Sequence, residues 1–354
     1  MYRVLAVNPG ATSTKLAVYE DQESLFKMTV EHQDKELESF QSIFDQYPYR
    51  LGLIRDALHN RGIGLDTIHA IVGRGGLLKP LTGGTYLVNN LMIEDLKKAA
   101  RSEHASNLGA ILAFNLAQNY KVPAYIVDPV CVDEMDPVAK ISGSPEFERI
   151  SMSHALNMKA VSRKVALDMG KKYEDLRLVV AHLGTGVTLS VHSTGKMIDI
   201  CDGREEGAFS LDRCGGLPIN QLVKLCYSGK YTFNEIKERL FTSGGVYAYL
   251  GTKDVRQVEK MAADGNKKAD LLLAAFSYQV AKEIGALATV LEGNVDRIIL
   301  TGGIANSAKI VGEITRRVEF ISPVIVIPGE EELESLANGA LRVLRGEELP
   351  LVYQ

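Results

Sequence analysis

The sequence has no tryptophan, only four cysteines and only seven histidines in 354 residues. The cysteines, Cys131, Cys201, Cys214 and Cys226, lie far apart and form no C-x-x-C pair. This spacing argues against a disulfide framework and a zinc site and predicts reduced, partly buried thiols. Charge of one sign is not in excess either, since 40 Lys and Arg stand against 44 Asp and Glu. Such a balance offers no electrostatic basis for binding nucleic acid or an anionic membrane.

Long apolar runs are also missing. No stretch approaches the ~18 unbroken apolar residues of a membrane span, and Met1 is followed by a strand-like segment rather than a basic and then apolar signal segment. We therefore expect a cytoplasmic protein with no membrane partner. The length predicts about two domains with separate cores. A turn-rich segment at 141–145 places the boundary so that the domains are 1–148 and 149–354, with the last helix a candidate to pack back on the first domain.

Glycine, by contrast, is abundant at 32 residues and clusters after apolar runs. Two segments repeat one plan: a buried strand, a polar turn rich in glycine and hydroxyl groups, and an alternating strand. Their turns are 8–14 and 182–186. Strands and helices alternate elsewhere, so the sequence predicts an α/β fold with mixed sheets and two domains built alike.

Both turns suit an anionic ligand, because backbone N–H groups in glycine turns can approach a phosphate closely. Each turn alone could simply connect two strands, but two facing turns would clamp a polyphosphate. The motif G-x-x-x-x-G-K-[ST] is absent, and G-x-G-x-x-G does not occur in a strand-to-helix turn. A nucleotide would therefore bind in neither a P-loop nor a Rossmann site.

Segments 7–15 and 181–186 resemble the two phosphate loops of the acetate and butyrate kinases, the acetokinase family of the actin-like ATPase superfamily. Further matches lie at 73–76, 128–130, 154–157, 213–218 and 301–304, and their order and spacing resemble the butyrate kinases most closely. The resemblance implies two actin-like (ribonuclease H-like) domains around a central cleft. It also implies ATP-dependent, reversible phosphorylation of a short-chain carboxylate to an acyl phosphate, with the carboxylate on the first domain and the nucleotide on the second.

Four residues are expected to serve catalysis. Arg74 follows a strand in a glycine-rich turn, and Arg213 lies beside Gly215 and Gly216. A guanidinium fork matches a carboxylate or a phosphate, although either could be a structural arginine. The resemblance assigns Arg74 to the acyl carboxylate, Arg213 to the phosphoryl group in flight and His154 to the transferring phosphate. An acceptor carboxylate is already ionised and needs no general base, so Asp128 is expected to orient Mg²⁺ and its waters.

The resemblance also supplies the magnesium and nucleotide positions. Asn8 and Glu331, with Asp128, match metal positions, but Glu331 lies in a run of three acids and Glu330 or Glu332 could take its place. The expected ATP and ADP contacts are Asn8, Gly10, Thr12, Ser13 and Lys15 in the first loop, His182, Gly184, Thr185 and Gly186 in the second, Asp254 and Arg256 beside the adenosine, and Gly302, Gly303 and Ile304 under the adenine. The first loop carries Ala11 where acetate kinases have serine.

Substrate size is predicted from bulk. Acetate kinases have branched residues after the position of Arg74 and phenylalanine before that of His154, whereas this chain has Gly75, Gly76 and Ser153. The lost bulk predicts room for extra methylene groups and a preference for butyrate or isobutyrate. Acetate or propionate, a sugar kinase, and a nucleotide-gated binding protein of the same superfamily are the alternatives. The resemblance also implies a homodimer or a larger assembly.

Overall fold

The computed structural model describes residues 1–99 and 103–354. Its strands are β1 (Arg3–Pro9), β2 (Ser13–Glu20), β3 (Glu23–Glu31), β4 (Ala70–Arg74), β5 (Thr85–Leu87), β6 (Ala124–Val127), β7 (Leu178–Leu183), β8 (Val187–Ser193), β9 (Lys196–Asp202), β10 (Arg297–Gly302), β11 (Val324–Pro328) and β12 (Leu351–Val352). Its helices are α1 (Asp34–Leu37), α2 (Tyr47–Asn60), α3 (Asn90–Lys98), α4 (Asn107–Gln118), α5 (Pro137–Lys140), α6 (Ala155–Asp168), α7 (Ile219–Cys226), α8 (Phe233–Phe241), α9 (Gly245–Leu250), α10 (Val255–Ala263), α11 (Lys267–Ala288), α12 (Ala308–Val318) and α13 (Glu332–Leu344). Short 3₁₀ helices lie at Phe44–Gln46, Leu65–Thr67, Tyr173–Asp175, Thr289–Leu291 and Gly303–Asn306.

The chain forms two compact units. The first contains residues 1–133, 155–157 and 331–354, and the second contains 134–154 and 158–330. The expected boundary at 148/149 therefore differs from the division in the structure, where 134–148 belongs to the second unit. Polar contacts explain the difference, because Glu134 pairs with Lys159 at 2.8 Å and the Asp136 N–H donates to the Ile198 carbonyl at 2.9 Å. The last helix, α13, lies in the first unit.

The first unit is built on a seven-stranded mixed sheet in the order β12-β5-β6-β4-β1-β2-β3. Strand β1 is antiparallel to β2 and parallel to β4, and β4 is parallel to β6. Alternate side chains of β1 point to opposite faces of the sheet, and each face is covered by a different hydrophobic core. Leu5 and Val7 pack in the core that contains α2 and α4, whereas Val4 and Ala6 pack with α13.

The second unit has a five-stranded mixed sheet in the order β11-β10-β7-β8-β9. Strand β7 is antiparallel to β8 and parallel to β10, and β10 is parallel to β11. The order matches that of β6-β4-β1-β2-β3 in the first unit, so the predicted repeat of one plan reflects two sheets with the same connectivity. One face of β7 packs against α11 and α12.

The long helix of the second unit is long and apolar enough, by length and composition alone, to cross a membrane. Residues Lys267–Leu291, which include the 3₁₀ turn after α11, have a mean hydropathy of 1.2 in their most apolar window, and 50% of that window is buried inside the structure. The apolar residues of α11 pack in the core with β7 and β8. A core helix of a folded domain accounts for this composition.

Candidate functional site

The first unit brings three of the expected residues to one edge of its sheet. Asn8 is the next-to-last residue of β1, Arg74 ends β4, and Asp128 directly follows β6. These three strands are parallel neighbours in register, with Val7 beside Gly73 and Arg74 beside Val127. The carboxyl ends of parallel strands meet at one edge, where ligands bind in open α/β sheets.

Glu332, the first residue of α13, is the acid that reaches this edge. Its carboxylate accepts a hydrogen bond from Asn8 Nδ2 and forms an ion pair with Arg74 Nη1. Glu331, the residue expected to hold magnesium, is 70% exposed at its side chain and lies 3.4 Å from Lys27 Nζ. The structure thus brings Glu332, and not Glu331, to Asn8, because the first turn of α13 directs consecutive side chains in different directions.

Asp128 has a buried and tightly held carboxylate, with the residue only 1% exposed. Its Oδ1 accepts a hydrogen bond from the Gly84 N–H at 2.7 Å, and its own N–H donates to the Gly84 carbonyl at 3.0 Å. The residue has a φ of 37°, in the left-handed region that aspartate tolerates better than most residues. These contacts fix the direction of the carboxylate at the strand end.

The room predicted next to Arg74 is filled in the structure. A Cβ on Gly75 would lie 2.4 Å from Cβ of Pro129, and a Cβ on Gly76 would lie 2.5 Å from Oδ1 of Asn107. Both glycines are needed for close packing of the chain against its neighbours. The expectation that they free space for methylene groups is therefore wrong at these two positions.

The first loop is a tight tip between β1 and β2. The Gly10 N–H donates to the Ser13 carbonyl at 2.7 Å, and the strands pair up to Pro9 and Thr14. The side of the tip that carries Thr12 is exposed, and so is Lys15. The expected contacts Gly10, Thr12, Ser13 and Lys15 therefore lie on one hairpin, directly after the end of β1 at Pro9.

The second unit repeats this arrangement at the corresponding edge of its own sheet. His182 in β7 pairs with Thr301, Gly302 ends β10, and Glu330 follows β11 by two residues. His182 Nε2 lies 2.9 Å from Glu330 Oε1. The second loop closes the hairpin between β7 and β8, with the Gly184 N–H donating to the Gly186 carbonyl at 3.1 Å.

Two histidines expected at the phosphate lie against each other in this unit. The rings of His154 and His182 are stacked, with centroids 3.9 Å apart and planes at 10°. His154 Nδ1 lies 3.0 Å from Thr188 Oγ1, which holds the ring at its orientation. Ser153, the preceding residue, is 3% exposed, and its buried Oγ has no hydrogen-bond partner among the described residues.

Arg213 packs directly on the second loop. A Cβ on Gly186 would lie 2.7 Å from Nη1 and 2.8 Å from Cζ of Arg213, so only glycine leaves room for the guanidinium. Ser210 holds the backbone of Arg213 by two hydrogen bonds. The Arg213 N–H donates to Ser210 Oγ at 3.2 Å, and the Ser210 N–H donates to the Arg213 carbonyl at 2.9 Å. Burial lowers the pKa of Arg213 below its ordinary value.

Asp202, next to this cluster at the end of β9, is a buried carboxyl that sequence analysis did not single out. Burial raises its pKa to about 6, and the charges of Arg204 and Arg213 oppose that rise. Its Oδ1 accepts the Arg204 N–H at 3.0 Å. A group with this pKa changes charge within the range where many proteins work.

A cavity of about 610 Å³ opens beside the second loop. A volume of this size suits a nucleotide-sized ligand. Asp254 and Arg256 pair with each other on one wall, with Arg256 Nη2 2.8 Å from Asp254 Oδ2. The residues that line the cavity are Gly184, Thr185, Leu211, Thr252, Lys253, Asp254, Val255, Arg256, Gly303, Ile304 and Glu330.

Gly302 lies just behind this wall rather than on it. Its φ is +88°, and a Cβ there would lie 2.5 Å from the Leu183 carbonyl oxygen. Its role in the structure is the close passage of β10 past β7.

The described residues contain no group of three or more His, Cys, Asp and Glu side chains that could hold a metal ion. All four cysteines are free thiols, with Cys131 and Cys201 buried. The available hard ligands at the first unit's strand ends are the oxygens of Asn8, Glu332 and Asp128. Mg²⁺ commonly uses one or two carboxylates and completes its shell with waters and substrate phosphates, so this donor set fits it.

Sequence analysis missed Thr188 as a part of the site and named Glu330 and Glu332 only as alternatives to Glu331. The run of three acids was recognised, but only the helix start at Glu332 decides which carboxylate faces Asn8 and which faces His182. Thr188 lies opposite His182 in the β7–β8 register. The alternation of polar residues along β8 was the signal that could have found it.

Comparison with known proteins shows which family the chain resembles. The model of the Acetokinase family matches residues 149–330. Butyrate kinase 1 of Clostridium acetobutylicum is 50% identical over 357 residues, which cover 100% of this chain and 100% of that protein.

Two solved structures share the fold. Acetate kinase of Porphyromonas gingivalis has a TM-score of 0.81 at 18% identity, with 97% of this chain and 100% of that chain covered. A propionate kinase from Francisella tularensis subsp. tularensis has a TM-score of 0.75 at 20% identity, with 95% and 98% covered. These likenesses confirm the predicted fold class of two actin-like α/β domains with mixed sheets.

Proposed function

The chain belongs to the acetokinase family, whose members phosphorylate a carboxylate with ATP, and from that premise we propose that its own acceptor is butyrate or isobutyrate. The reaction joins a carboxylate oxygen to the terminal phosphorus of ATP and breaks the bond from that phosphorus to ADP. The acyl phosphate formed has a high transfer potential, so the reaction runs in either direction. The observation that carries the choice of acid is the 50% identity to Butyrate kinase 1 over the whole of both chains.

Arg74 binds the carboxylate of the acid in this proposal. Its guanidinium already forms an ion pair with a carboxylate, that of Glu332, at the end of β4. A planar fork of donors suits the two oxygens of a carboxylate. The substrate would take the place of Glu332 on Arg74 when Glu332 turns toward the metal.

The groups of the second unit stabilise the phosphoryl group during its transfer. Arg213 is held against the second loop by the absence of a side chain at Gly186. His154 and His182 are stacked beside that loop and donate hydrogen bonds rather than shuttle protons. Since the acceptor arrives ionised, these residues act by position and charge alone.

Magnesium would be held by Glu332 and Asn8 in the first unit, with Asp128 orienting bound water. A magnesium ion supplies positive charge to the phosphate oxygens when it is bound. We propose Glu332 instead of Glu331 because Glu332 contacts Asn8, whereas the Glu331 side chain is directed to Lys27. Asp128 is fixed by Gly84, and a carboxylate that is held in one direction by its own backbone suits this orienting role.

The nucleotide would occupy the cavity beside the second loop. Gly184 and Thr185 on its wall suit the phosphates, and Gly303 and Ile304 suit the base. Asp254 and Arg256 are placed to contact the adenosine. Gly10, Thr12, Ser13 and Lys15 of the first loop are proposed as further phosphate contacts.

Acetate or propionate is the second candidate acceptor. Pro129 and Asn107 occupy the space beside the two glycines that follow Arg74, so these glycines leave no room that would favour a longer acid. Ser153, in place of a phenylalanine, is the remaining argument from bulk. A sugar kinase would need an aspartate as general base, and the buried Asp128, bound to the Gly84 backbone, does not favour that role.

Trapping of the acyl phosphate with hydroxylamine tests the function directly. The purified chain, with ATP and Mg²⁺, is assayed with acetate, propionate, butyrate and isobutyrate. Each buried methylene contributes about 0.8 kcal/mol, so two more methylenes predict a kcat/KM for butyrate about 15-fold above that for acetate. No hydroxamate with any acid would refute the carboxylate kinase, and an acetate optimum would refute the butyrate assignment.

An assembly of two or more copies is a part of the proposal that rests on the family resemblance. A cytoplasmic location is a further part, and it rests on the sequence expectation given above. Light scattering coupled to size exclusion measures the number of copies, and a monomer at assay concentration would contradict the first part.

A further inference from the structure

The first loop rests on a buried arginine that the proposed function does not use. Arg50 lies on α2 and is 1% exposed, the largest side chain that is fully buried in the described residues. Its Nη1 donates to the carbonyls of Gly10 at 2.8 Å and Ser13 at 3.3 Å, and its Nη2 donates to the carbonyl of Ala11 at 3.1 Å. One side chain therefore binds three of the carbonyl oxygens in the loop.

The remaining donors of Arg50 are also taken by neutral oxygens. Nη1 donates to Thr14 Oγ1 at 3.2 Å, while Nε and Nη2 donate to Gln46 Oε1 at 3.2 and 2.8 Å. Within the described ranges no carboxylate forms an ion pair with it. Burial lowers the pKa of Arg50 to about 10, so it remains a cation at neutral pH. A buried charge without a counter-ion is unusual, because burial of an unpaired ion is costly.

The contacts of Arg50 also set the direction of the loop amides. The carbonyl and the following N–H of a trans peptide point in opposite directions, and the chain has no cis peptide bond. Because the Gly10 and Ala11 carbonyls point to Arg50, the N–H groups of Ala11 and Thr12 point away from it. Neither N–H donates a hydrogen bond inside the part of the chain that the structure describes, and both residues are exposed.

We propose that Arg50 is a positioning residue for the phosphate end of ATP: it holds the first loop by its carbonyls, turns the Ala11 and Thr12 amides outward and leaves an uncompensated positive charge beneath them. The ligand is an oxyanion, a phosphoryl oxygen of the nucleotide, so the inference rests on the proposed function. The charge acts across the loop from a poorly screened, buried position. It also explains why this arginine lacks a carboxylate partner, since a partner would cancel the attraction.

The substitution Gln46→Glu separates this role from a structural one. It keeps the size of the side chain and the acceptor for Arg50, and it adds a carboxylate that neutralises the guanidinium. A purely structural Arg50 would be held as well or better in Gln46→Glu. The proposal instead expects an unchanged or raised melting temperature together with an affinity for Mg·ATP that is at least about tenfold lower. Titration calorimetry on the full chain measures the affinity.

Arg50→Lys and Arg342→Met complete the set. Arg50→Lys keeps the charge and loses the fork, so binding of Mg·ATP is expected to weaken by about three- to tenfold with a lowered kcat and little change in KM for the acid. Arg342, on α13 in the same unit, pairs with Glu348 at 2.8 Å and is the matched control. Arg342→Met is expected to lower stability without a change in nucleotide affinity.

Two outcomes would overturn the proposal. In the first, the Gln46→Glu variant binds Mg·ATP as tightly as the wild type does. In the second, Arg342→Met and Gln46→Glu lose affinity for Mg·ATP to the same extent. Calorimetry needs no acid substrate, so this result is independent of the hydroxamate assay. If the chain binds Mg·ATP but makes no acyl phosphate, the proposed function is refuted. The binding data then still decide whether Arg50 has the proposed role.

Discussion

The contact between Gly186 and Arg213 predicts that Gly186→Ala disables the enzyme without unfolding it. The new Cβ would lie 2.7, 2.8 and 3.0 Å from Nη1, Cζ and Nη2 of Arg213. Ordinary contacts begin near 3.5 Å, so the guanidinium must withdraw by about 0.5 to 0.8 Å. The atoms that move are the far end of a flexible side chain, and the free energy of unfolding should therefore change by less than about 1 kcal/mol.

Catalysis should be far more sensitive to that shift. A misplacement of about 1 Å can reduce a rate about 100-fold, so kcat is expected to fall by about 10- to 100-fold, or about 1.4 to 2.7 kcal/mol of transition-state stabilisation. The KM for the acid should stay within about threefold, because Gly186 and Arg213 lie in the second unit and the acid is assigned to Arg74 in the first. Steady-state kinetics with butyrate and urea denaturation measure the two quantities.

A double-mutant cycle shows whether the loss passes through Arg213. Arg213→Ala alone should reduce kcat by about 1,000-fold, and Gly186→Ala should add nothing to it, because the group that it displaces is already gone. Gly312→Ala is the matched control, since a Cβ at Gly312 on α12 meets no atom within 4 Å. A kcat of Gly186→Ala within twofold of the wild type, or additive losses in the double variant, would refute the reasoning.

Three further predictions concern the same site. Arg74→Ala should raise the KM for the acid at least tenfold and lower turnover, whereas Arg213→Ala should act mainly on kcat; steady-state kinetics that show the same pattern for both would contradict these assignments. Glu332→Gln should raise the Mg²⁺ concentration needed for half-maximal rate at least tenfold. Glu331→Gln should change that concentration less than about twofold, because the Glu331 side chain is mostly exposed. A Mg²⁺ titration with the larger effect in Glu331→Gln would show that Glu331 binds the metal. Asp202 has a pKa of about 6 when folded and an ordinary value of 3.8, so the unfolded state loses its proton first as the pH rises. From pH 4 to pH 6 the wild type should therefore lose about 2 kcal/mol of stability relative to Asp202→Asn, and parallel curves of unfolding free energy against pH would exclude this linkage.

The locations of the loops could be predicted from the sequence because local chemistry produces them. A buried strand that runs into a turn of glycine and hydroxyl residues has few conformations open to it, and both predicted turns are hairpin tips in the structure. Arg74 and Asp128 could be singled out because they lie at or directly after the end of an apolar strand, whereas Asn8 came from the family resemblance. Their assembly in one row was beyond a local pattern, because it depends on which strands are parallel neighbours.

Contacts between distant parts of the chain explain the errors. In the sequence, Gly75 and Gly76 suggest open space beside Arg74, yet Pro129 and Asn107 occupy that space in the structure. The structure groups residues 134–154 with the second unit, where Glu134 forms an ion pair with Lys159. Neither partner is near in sequence, so no window of residues could have revealed it.

The sequence by itself determined the α/β class, the repeated hairpin plan and the family, because these follow from periodicity, turn chemistry and motifs that survive without knowledge of contacts. Only the tertiary structure decided which of three adjacent glutamates reaches Asn8, since a single residue of helix rotates a side chain by about 100°. It alone also showed Arg50 beneath the first loop, a cation 37 residues or more from the carbonyls of Gly10, Ala11 and Ser13 that it binds. Packing brings such groups together, and packing is a property of the whole chain.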